Sequence, residues 1–222
     1  MESSRSFDPI GKLIGLRYKS HPWHGIELGK DAPDKVTCFV EMVTSDTVKY
    51  EVDKLSGYLK LDRPHKYSNL TPSLYGFLPQ TYCDKLVAGL CNEATGRTDI
   101  VGDNDPLDVC ILTEKDITHG DILVMARPIG GFRMIDKNKA DDKIICVLEN
   151  DALYYAYHDI SELSKPIVDR LKHYFLTYKD MPGIGAESGV EIPQIYGADE
   201  ARKVILASMD DYKAHLERLL FG

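Results

Sequence analysis

The first third of the chain alternates between apolar and polar positions in the manner of β-strands. Residues 36–43 are mostly β-branched and apolar, and Glu41 is the one charge inside this run. Residues 49–53 and 58–63 alternate charged and apolar side chains with a period of two, which places one set on each face of a strand. Because Ser56-Gly57 is a turn signal between them, we expect these two segments to form a β-hairpin.

The middle of the chain predicts more strands, and its end predicts helices. The Gly130-Gly131 pair is interpreted as a turn between two of the later strands. Apolar residues recur at helical spacing from Pro166 to Tyr178, and again after Asp199, which we interpret as a helix N-cap. Many short strands followed by helices are typical of an α+β domain with a barrel core. The later strands are predicted at residues 107–113, 121–127, 132–135 and 143–148.

Length and composition favour a single cytoplasmic domain spanning residues 1–222, large enough to fold without disulfide or metal support. Residues 83–102 and 181–198 are rich in Gly, Asn, Thr and Pro, so we interpret them as surface loops. The first residues lack the apolar core of a secretory signal, and no run of eighteen apolar residues predicts a membrane span. The five cysteines form no CxxC pair, which is typical of a reduced protein.

The net charge of −8 argues against a nucleic-acid-binding surface, because neutralising phosphates requires a basic field. An acidic protein can bind an anionic substrate well only if cations stand between the two. Groups of carboxylates that could hold such cations are therefore the candidate binding sites.

One acidic cluster lies in the segment Gly102-Asp-Asn-Asp-Pro-Leu-Asp-Val109, beside a predicted strand. Asp103, Asp105 and Asp108 are close enough to repel one another unless a cation or a proton relieves them. Carboxylate oxygens are the ligands that hard divalent cations prefer. The alternative interpretation is a solvated acidic turn punctuated by Asp-Pro.

A second acidic cluster follows at residues 136–143, and by itself it is more typical of a solvated hairpin tip. Asp136 and Asp141 flank a strand pair next to the strand that begins near Asp108, so a barrel mouth could gather both clusters. Together they could hold several ions about 4 Å apart, which is an arrangement used for displacement at phosphorus.

Further charged residues could complete such a site. Glu41 shares its strand face with Phe39 and Val43, and a buried carboxylate needs a cation as a partner. Lys49 and Glu51 share one face of the next strand, where a cross-strand ion pair is an equally good interpretation. Scattered cations and phenols would suit phosphate oxygens as a set, although each alone is more typical of surface or packing: Arg63, Tyr75, Lys143, Tyr178 and Lys179.

Taken together, these segments resemble the soluble inorganic pyrophosphatases of the oligonucleotide-binding (OB) barrel type. Residues 103–108 match the family signature Asp-x-Asp-Pro-x-Asp before an apolar strand. The resemblance implies an α+β fold: a closed five-stranded OB-like β-barrel with added strands and two C-terminal helices packed outside. The other matching segments keep the family's order over about residues 21–180: Glu41, Lys49-Tyr-Glu51, Asp62-Arg63, Tyr75-Gly76, Asp136 through Lys143, and Tyr178-Lys179.

The resemblance also implies Mg²⁺-dependent hydrolysis of pyrophosphate to two phosphates, with several ions per site and no covalent enzyme intermediate. Asp105 would orient or deprotonate the attacking water, Tyr75 would lie near the nucleophile, and Glu51 would orient neighbouring groups. The metal ligands would be Glu41, Asp103, Asp108, Asp136 and Asp141. The groups that grip the substrate phosphates would be Lys49, Arg63, Lys143, Tyr178 and Lys179.

Two features depart from the short bacterial members of the family. Thr71 stands eight residues after Arg63, where those members carry a tyrosine, and Tyr67 is nearby. The stretch between Tyr75 and Asp103 is also longer. Family members associate as homo-oligomers, and we favour a hexamer over a dimer.

Two other classes of protein compete with the enzyme interpretation. A nucleic-acid-binding barrel would need a basic groove with stacking aromatic side chains, and this chain is acidic. A calcium-binding structural module would leave the phosphate-type residues unexplained.

Overall fold

The computed structural model describes residues 18–179 and 189–221. Three α-helices are present in this part of the chain: α1 (Lys85–Thr95), α2 (Lys165–Thr177) and α3 (Ala198–Phe221). The same residues form ten strands: β1 (Val36–Met42), β2 (Val48–Val52), β3 (Leu59–Pro64), β4 (Leu74–Phe77), β5 (Val101–Gly102), β6 (Asp108–Leu112), β7 (Ile122–Asp136), β8 (Lys139–Ala140), β9 (Lys143–Leu148) and β10 (Val190–Gly197).

Five strands close into a ring in the order β1-β4-β6-β9-β7, because β7 pairs back onto β1. The β6–β9 pairing is parallel, and the other pairings in the ring are antiparallel. Strands β10, β8 and β5 extend the ring, and β2 and β3 form a separate hairpin. The expected α+β fold, an OB-like five-stranded barrel with added strands, is thereby confirmed.

Side chains on both faces of the barrel wall are buried. Alternate residues of β9 join different apolar clusters, since successive side chains of a strand point to opposite faces. Ile144 and Cys146 pack in a cluster with residues of α1 and α3, whereas Ile145 and Val147 pack in a cluster with residues of α2. All five cysteines are free and buried, so they pack as small apolar side chains.

The prediction of a turn at Gly130-Gly131 was wrong, because β7 runs through both residues as one strand. The glycines are required for close packing instead. A Cβ atom on Gly130 would lie 2.5 Å from the backbone oxygen of Tyr196, and one on Gly131 would lie 2.5 Å from the Tyr196 ring. Two consecutive glycines therefore allow β10 to approach β7 closely here.

The two segments interpreted as surface loops are also corrected. Residues 83–102 contain helix α1, which buries Val87, Ala88 and Cys91 and ends at Gly96 in the left-handed conformation (φ 68°). Residues 190–197 of the second segment form β10, and residues 181–188 lie outside the described part of the chain.

The two predicted C-terminal helices are confirmed as α2 and α3, with one change at a boundary. Helix α3 begins at Ala198, so Asp199 lies in its first turn and is not the N-cap. An acidic residue in the first turn still interacts favourably with the helix dipole. In the described residues, every helix is too short or too polar to cross a bilayer.

Candidate active site

The loop between β5 and β6 carries the first acidic cluster and has a defined shape. Asn104 adopts a left-handed conformation (φ 66°), which Asn tolerates better than most residues, and the Asp105 amide donates to Asp103 Oδ1 at 3.1 Å. Backbone hydrogen bonds join Cys83 to Asn104 and to Asp105 at 3.1 and 2.9 Å. A Cβ atom on Gly102 would lie 2.2 Å from the Cys83 oxygen, so glycine is required at that point of the loop.

The parallel pairing of β6 and β9 places Asp108 directly beside Lys143. The Lys143 ammonium contacts Asp108 Oδ2 at 2.5 Å and also contacts Asp141, while Tyr75 donates its hydroxyl proton to Asp108 Oδ2 at 2.6 Å. Burial opposes the positive charge of Lys143, but the two neighbouring carboxylates outweigh it and raise the pKa of this group. Both acidic clusters therefore meet at one lysine.

Glu41 lies at an irregularity in the pairing of β1 with β4, a kind of distortion that often redirects a side chain beside an active site. The residue is only 5% exposed, as its position on the strand predicts. Its Oε1 atom accepts a hydrogen bond from the Val52 amide at 2.7 Å. Burial raises the pKa of this carboxyl group to about 8, so its ionised form requires a cation nearby.

The β2–β3 hairpin presents Lys49 and Arg63 as directly paired residues. Lys49 Nζ lies 3.2 Å from Glu51 and 3.7 Å from Asp62, and Arg63 contacts Asp62 at 2.8 Å. Lys49 thus pairs with Glu51 within β2 and with Asp62 across the hairpin, and the second of these is the cross-strand ion pair considered above. Lys49 and Glu51 both line the cleft described below, so ion pairing is compatible with a place in the site.

The end of β7 and the residues after α2 complete the arrangement. Lys179 Nζ contacts Asp136 Oδ2 at 2.5 Å and lies 5.2 Å from the centre of the Tyr178 ring. The other oxygen of this carboxylate, Asp136 Oδ1, is buried and has no hydrogen-bond partner among the described residues. A buried acceptor of this kind is available to a further ligand.

These elements enclose one cleft of about 640 Å³. Every site residue predicted from the sequence lines it: Glu41, Lys49, Glu51, Arg63, Tyr75, Asp103, Asp105, Asp108, Asp136, Asp141, Lys143, Tyr178 and Lys179.

The sequence did not single out several basic side chains that line the cleft. Lys54 forms an ion pair with Asp105, but it follows β2 beyond the alternating run, so the period-two rule did not single it out. Lys137 and Lys139 lie within the second acidic cluster, where attention fell on the carboxylates. His65 and Lys66 also line the cleft, just after β3.

Neither Thr71 nor Tyr67 lines the cleft. Thr71 is 2% exposed, and its hydroxyl donates to the backbone oxygen of Ser73 at 3.0 Å. The position that holds a tyrosine in the short bacterial pyrophosphatases is therefore occupied here by a packed side chain.

The cleft offers carboxylate donors that fit hard divalent cations. Burial and then neighbouring carboxylates raise the pKa of Asp103, and burial raises that of Asp141, so these groups favour an added cation. In residues 18–179 and 189–221, no three acidic, histidine or cysteine side chains converge as a ready cage for one ion. Lysines lie between the carboxylates instead, as the contacts of Lys143 and Lys179 show.

The fold and the cleft together define a class of protein: a barrel-fold enzyme whose site joins clustered carboxylates to several lysines, an arginine and tyrosines. Such a site could bind a small, highly charged anion with cations between it and the protein. It differs from a nucleic-acid-binding barrel, which needs a basic groove.

Comparison with known proteins identifies the family. The sequence model described as inorganic pyrophosphatase matches residues 38–213. An inorganic pyrophosphatase of Chlamydia caviae is 50% identical over 195 residues, covering 86% of this chain and 90% of its own. A soluble inorganic pyrophosphatase of Zea mays is 37% identical, covering 93% and 86%. The crystal structure of inorganic pyrophosphatase from Thermus thermophilus superposes with a TM-score of 0.72 at 26% identity, covering 87% and 99%. The chain belongs to the inorganic pyrophosphatase family.

Proposed function

We propose that this chain catalyses the Mg²⁺-dependent hydrolysis of pyrophosphate to two phosphates, without a covalent enzyme intermediate. The observation that carries the proposal is the convergence of all the predicted site residues in one cleft of a pyrophosphatase-family chain. Bound divalent cations would lower the pKa of the attacking water and neutralise charge on the phosphoryl oxygens. The residues that would hold them are Glu41, Asp103, Asp108, Asp136 and Asp141.

Asp105 would orient the attacking water and accept its proton. Its side chain is 46% exposed and faces the cleft, in contrast to the more enclosed carboxylates of Asp108 and Asp141 at 23% and 17%. Tyr75, on the neighbouring strand β4, holds Asp108 by a hydrogen bond. Glu51 accepts a hydrogen bond from Lys49 and would thus orient the Lys49 ammonium group without touching the reacting atoms.

The substrate would be gripped by Lys49, Arg63, Lys143, Tyr178 and Lys179. Lys143 and Lys179 pair with Asp108 and Asp136, which are two of the proposed metal ligands, whereas Lys49 pairs with Glu51. Divalent cations held by Asp108 and Asp136 would leave the ammonium groups of Lys143 and Lys179 free to contact phosphate oxygens. These two lysines would therefore compensate the carboxylate charge before substrate binding and the substrate charge after it.

The wider setting of the enzyme follows from the resemblance and from its composition. We place it in the cytoplasm, as one domain that assembles into a homo-oligomer, with a hexamer favoured over a dimer. Its partner is the small-molecule substrate, with no nucleic acid and no membrane.

Phosphate release from pyrophosphate should be rapid with Mg²⁺ and slow with Ca²⁺ alone. Ca²⁺ is larger and tolerates irregular coordination, so it should bind but polarise water less than a compact octahedral ion. Steady-state rates with each metal, and with a chelator as the blank, measure this difference. No release with Mg²⁺ would refute the proposed function, and full activity with Ca²⁺ alone would count against the activation of water.

Lys49→Ala and Lys179→Ala should each lower kcat/KM by about 10- to 100-fold, the loss expected for one charge-assisted hydrogen bond to substrate. Their folds should remain intact, because both lysine side chains are partly exposed, at 27% and 31%, and ion pairs that solvent reaches contribute little stability. Lys165→Ala is the matched control, since this lysine is 82% exposed, also pairs with an aspartate and does not line the cleft. A collapse of Tm in place of kcat/KM would show that the ion pairs are structural.

A further inference from the structure

A buried polar network lies behind the wall of the cleft. The side chains of Arg133 on β7 and Asp142 are both fully buried and form an ion pair, with Arg133 Nη1 2.7 Å from Asp142 Oδ2. Tyr196 on β10 donates its hydroxyl proton to the same oxygen at 2.8 Å, and its ring lies 4.8 Å from the Arg133 guanidinium carbon. Arg133 Nη2 contacts Glu200, in the first turn of α3, at 2.7 Å. The network thus connects barrel strand β7, the residue just before β9, strand β10 and helix α3.

Asp142 stands between two residues of the proposed site, Asp141 and Lys143. Because successive side chains point to opposite faces of an extended chain, Asp142 points into the core while its two neighbours point into the cleft. The backbone on either side of Arg133 meets the two neighbours of Asp142. Phe132 pairs with Lys143, and the Met134 oxygen accepts from the Asp141 amide at 2.9 Å.

The buried ion pair alone should contribute little net stability to the fold. Arg133 Nε and Asp142 Oδ1 are buried, and neither has a hydrogen-bond partner among the described residues. Replacing a buried ion pair with apolar residues of similar volume is often neutral or stabilising, and an incompletely bonded network is the less favourable case. The network instead fixes the direction in which the side chain of residue 142 points. It thereby also fixes the directions of the side chains of residues 141 and 143.

We propose that the buried Arg133–Asp142–Tyr196 network is a positioning device that aims Asp141 and Lys143 into the cleft. This inference rests on the proposed function, in which Asp141 holds Mg²⁺ and Lys143 contacts phosphate. Asp142 itself touches neither the metal nor the substrate. Partners that hold a metal ligand in place typically change metal affinity or activity by 10- to 100-fold when they are removed.

The test compares Asp142→Asn with Asp151→Asn. Asp151 is a matched control because it is also a buried carboxylate, 7% exposed, lies beyond the other end of β9 and does not line the cleft. It accepts hydrogen bonds from Thr113 and Glu114 at 2.7 and 2.9 Å, so its loss should lower Tm as well. Calorimetric titration with Mg²⁺ in the absence of pyrophosphate should show affinity about 10- to 100-fold weaker in Asp142→Asn and unchanged in Asp151→Asn.

A second variant separates positioning from stability. Arg133→Met, Asp142→Leu and Tyr196→Phe together replace the network with apolar groups, which should keep Tm near that of the unaltered protein. Its Mg²⁺ affinity should still fall, and its KM for pyrophosphate should rise because Lys143 is no longer aimed. If Asp142→Asn and the triple variant bind Mg²⁺ as the control does, the positioning role is refuted. If the unaltered protein releases no phosphate, the proposed function fails and this inference fails with it.

Discussion

Asp105→Asn should lower kcat by about 10²- to 10⁴-fold, the contribution typical of a group that accepts a proton in the transition state. Asparagine keeps the size of the side chain and one oxygen, but it removes the charge and the basicity. Asp105 pairs with Lys54, and both side chains are more than 40% exposed, so breaking that pair should cost little stability. Added Mg²⁺ should not restore the rate, because Asp105 is not proposed as a metal ligand.

The measurement is a Mg²⁺ titration of turnover, with metal affinity followed separately by calorimetry. Asp99→Asn serves as the control, since Asp99 is an exposed aspartate close in sequence that does not line the cleft. Recovery of the Asp105→Asn rate at high Mg²⁺ would show that Asp105 is a metal ligand. A variant as active as the control would reduce the signature to an acidic turn.

Asp108→Asn should fail in a different way. Asp108 faces Lys143 and Tyr75 at the point where the two acidic clusters meet, and we propose that it is shared between two cations. Losing its charge should weaken Mg²⁺ binding by about 10- to 100-fold and lower turnover at low Mg²⁺ accordingly. Excess Mg²⁺ should recover part of the activity, because the missing interaction is one of affinity.

The same titration and the same Asp99→Asn control apply to this variant. Thermal unfolding should accompany the titration, since Lys143 is only 3% exposed and loses one of its two carboxylate partners. If Mg²⁺ rescues Asp105→Asn but leaves Asp108→Asn inactive, the roles assigned to the two aspartates are reversed.

The strands that build the barrel could be predicted because their pattern is local. The alternation in residues 49–53 and 58–63 predicted the β2–β3 hairpin, and the apolar runs predicted β1, β6 and β9. The composition of residues 83–102 concealed α1, whose three buried residues, Val87, Ala88 and Cys91, lie in one apolar cluster with residues of α3. Short helices of this kind derive their stability from tertiary contacts that the segment itself does not display.

The positions of the site residues could be predicted only through the family signature. The spacing indicated that Asp103, Asp105 and Asp108 could share a cation, but it did not indicate that Lys143 would join them to Asp141. That contact depends on the register of two strands separated by more than thirty residues, which is a non-local property. The Lys54–Asp105 pair and the Tyr196–Asp142 hydrogen bond are also non-local, since they join residues 51 and 54 positions apart.

The order of strands in the ring has a consequence for how the chain assembles its cleft during folding. Contacts between residues distant in sequence require long loops to close, which slows their formation. Glu41 comes from β1 and Asp136 from the far end of β7, and the pairings that connect them are β1–β4, β4–β6, β6–β9 and β9–β7. A form with its β2–β3 hairpin and helices present, but with those pairings incomplete, would have native-like secondary structure and no assembled site. Recovery of catalysis on refolding should therefore report the pairing of these strands, whereas circular dichroism should report the formation of secondary structure.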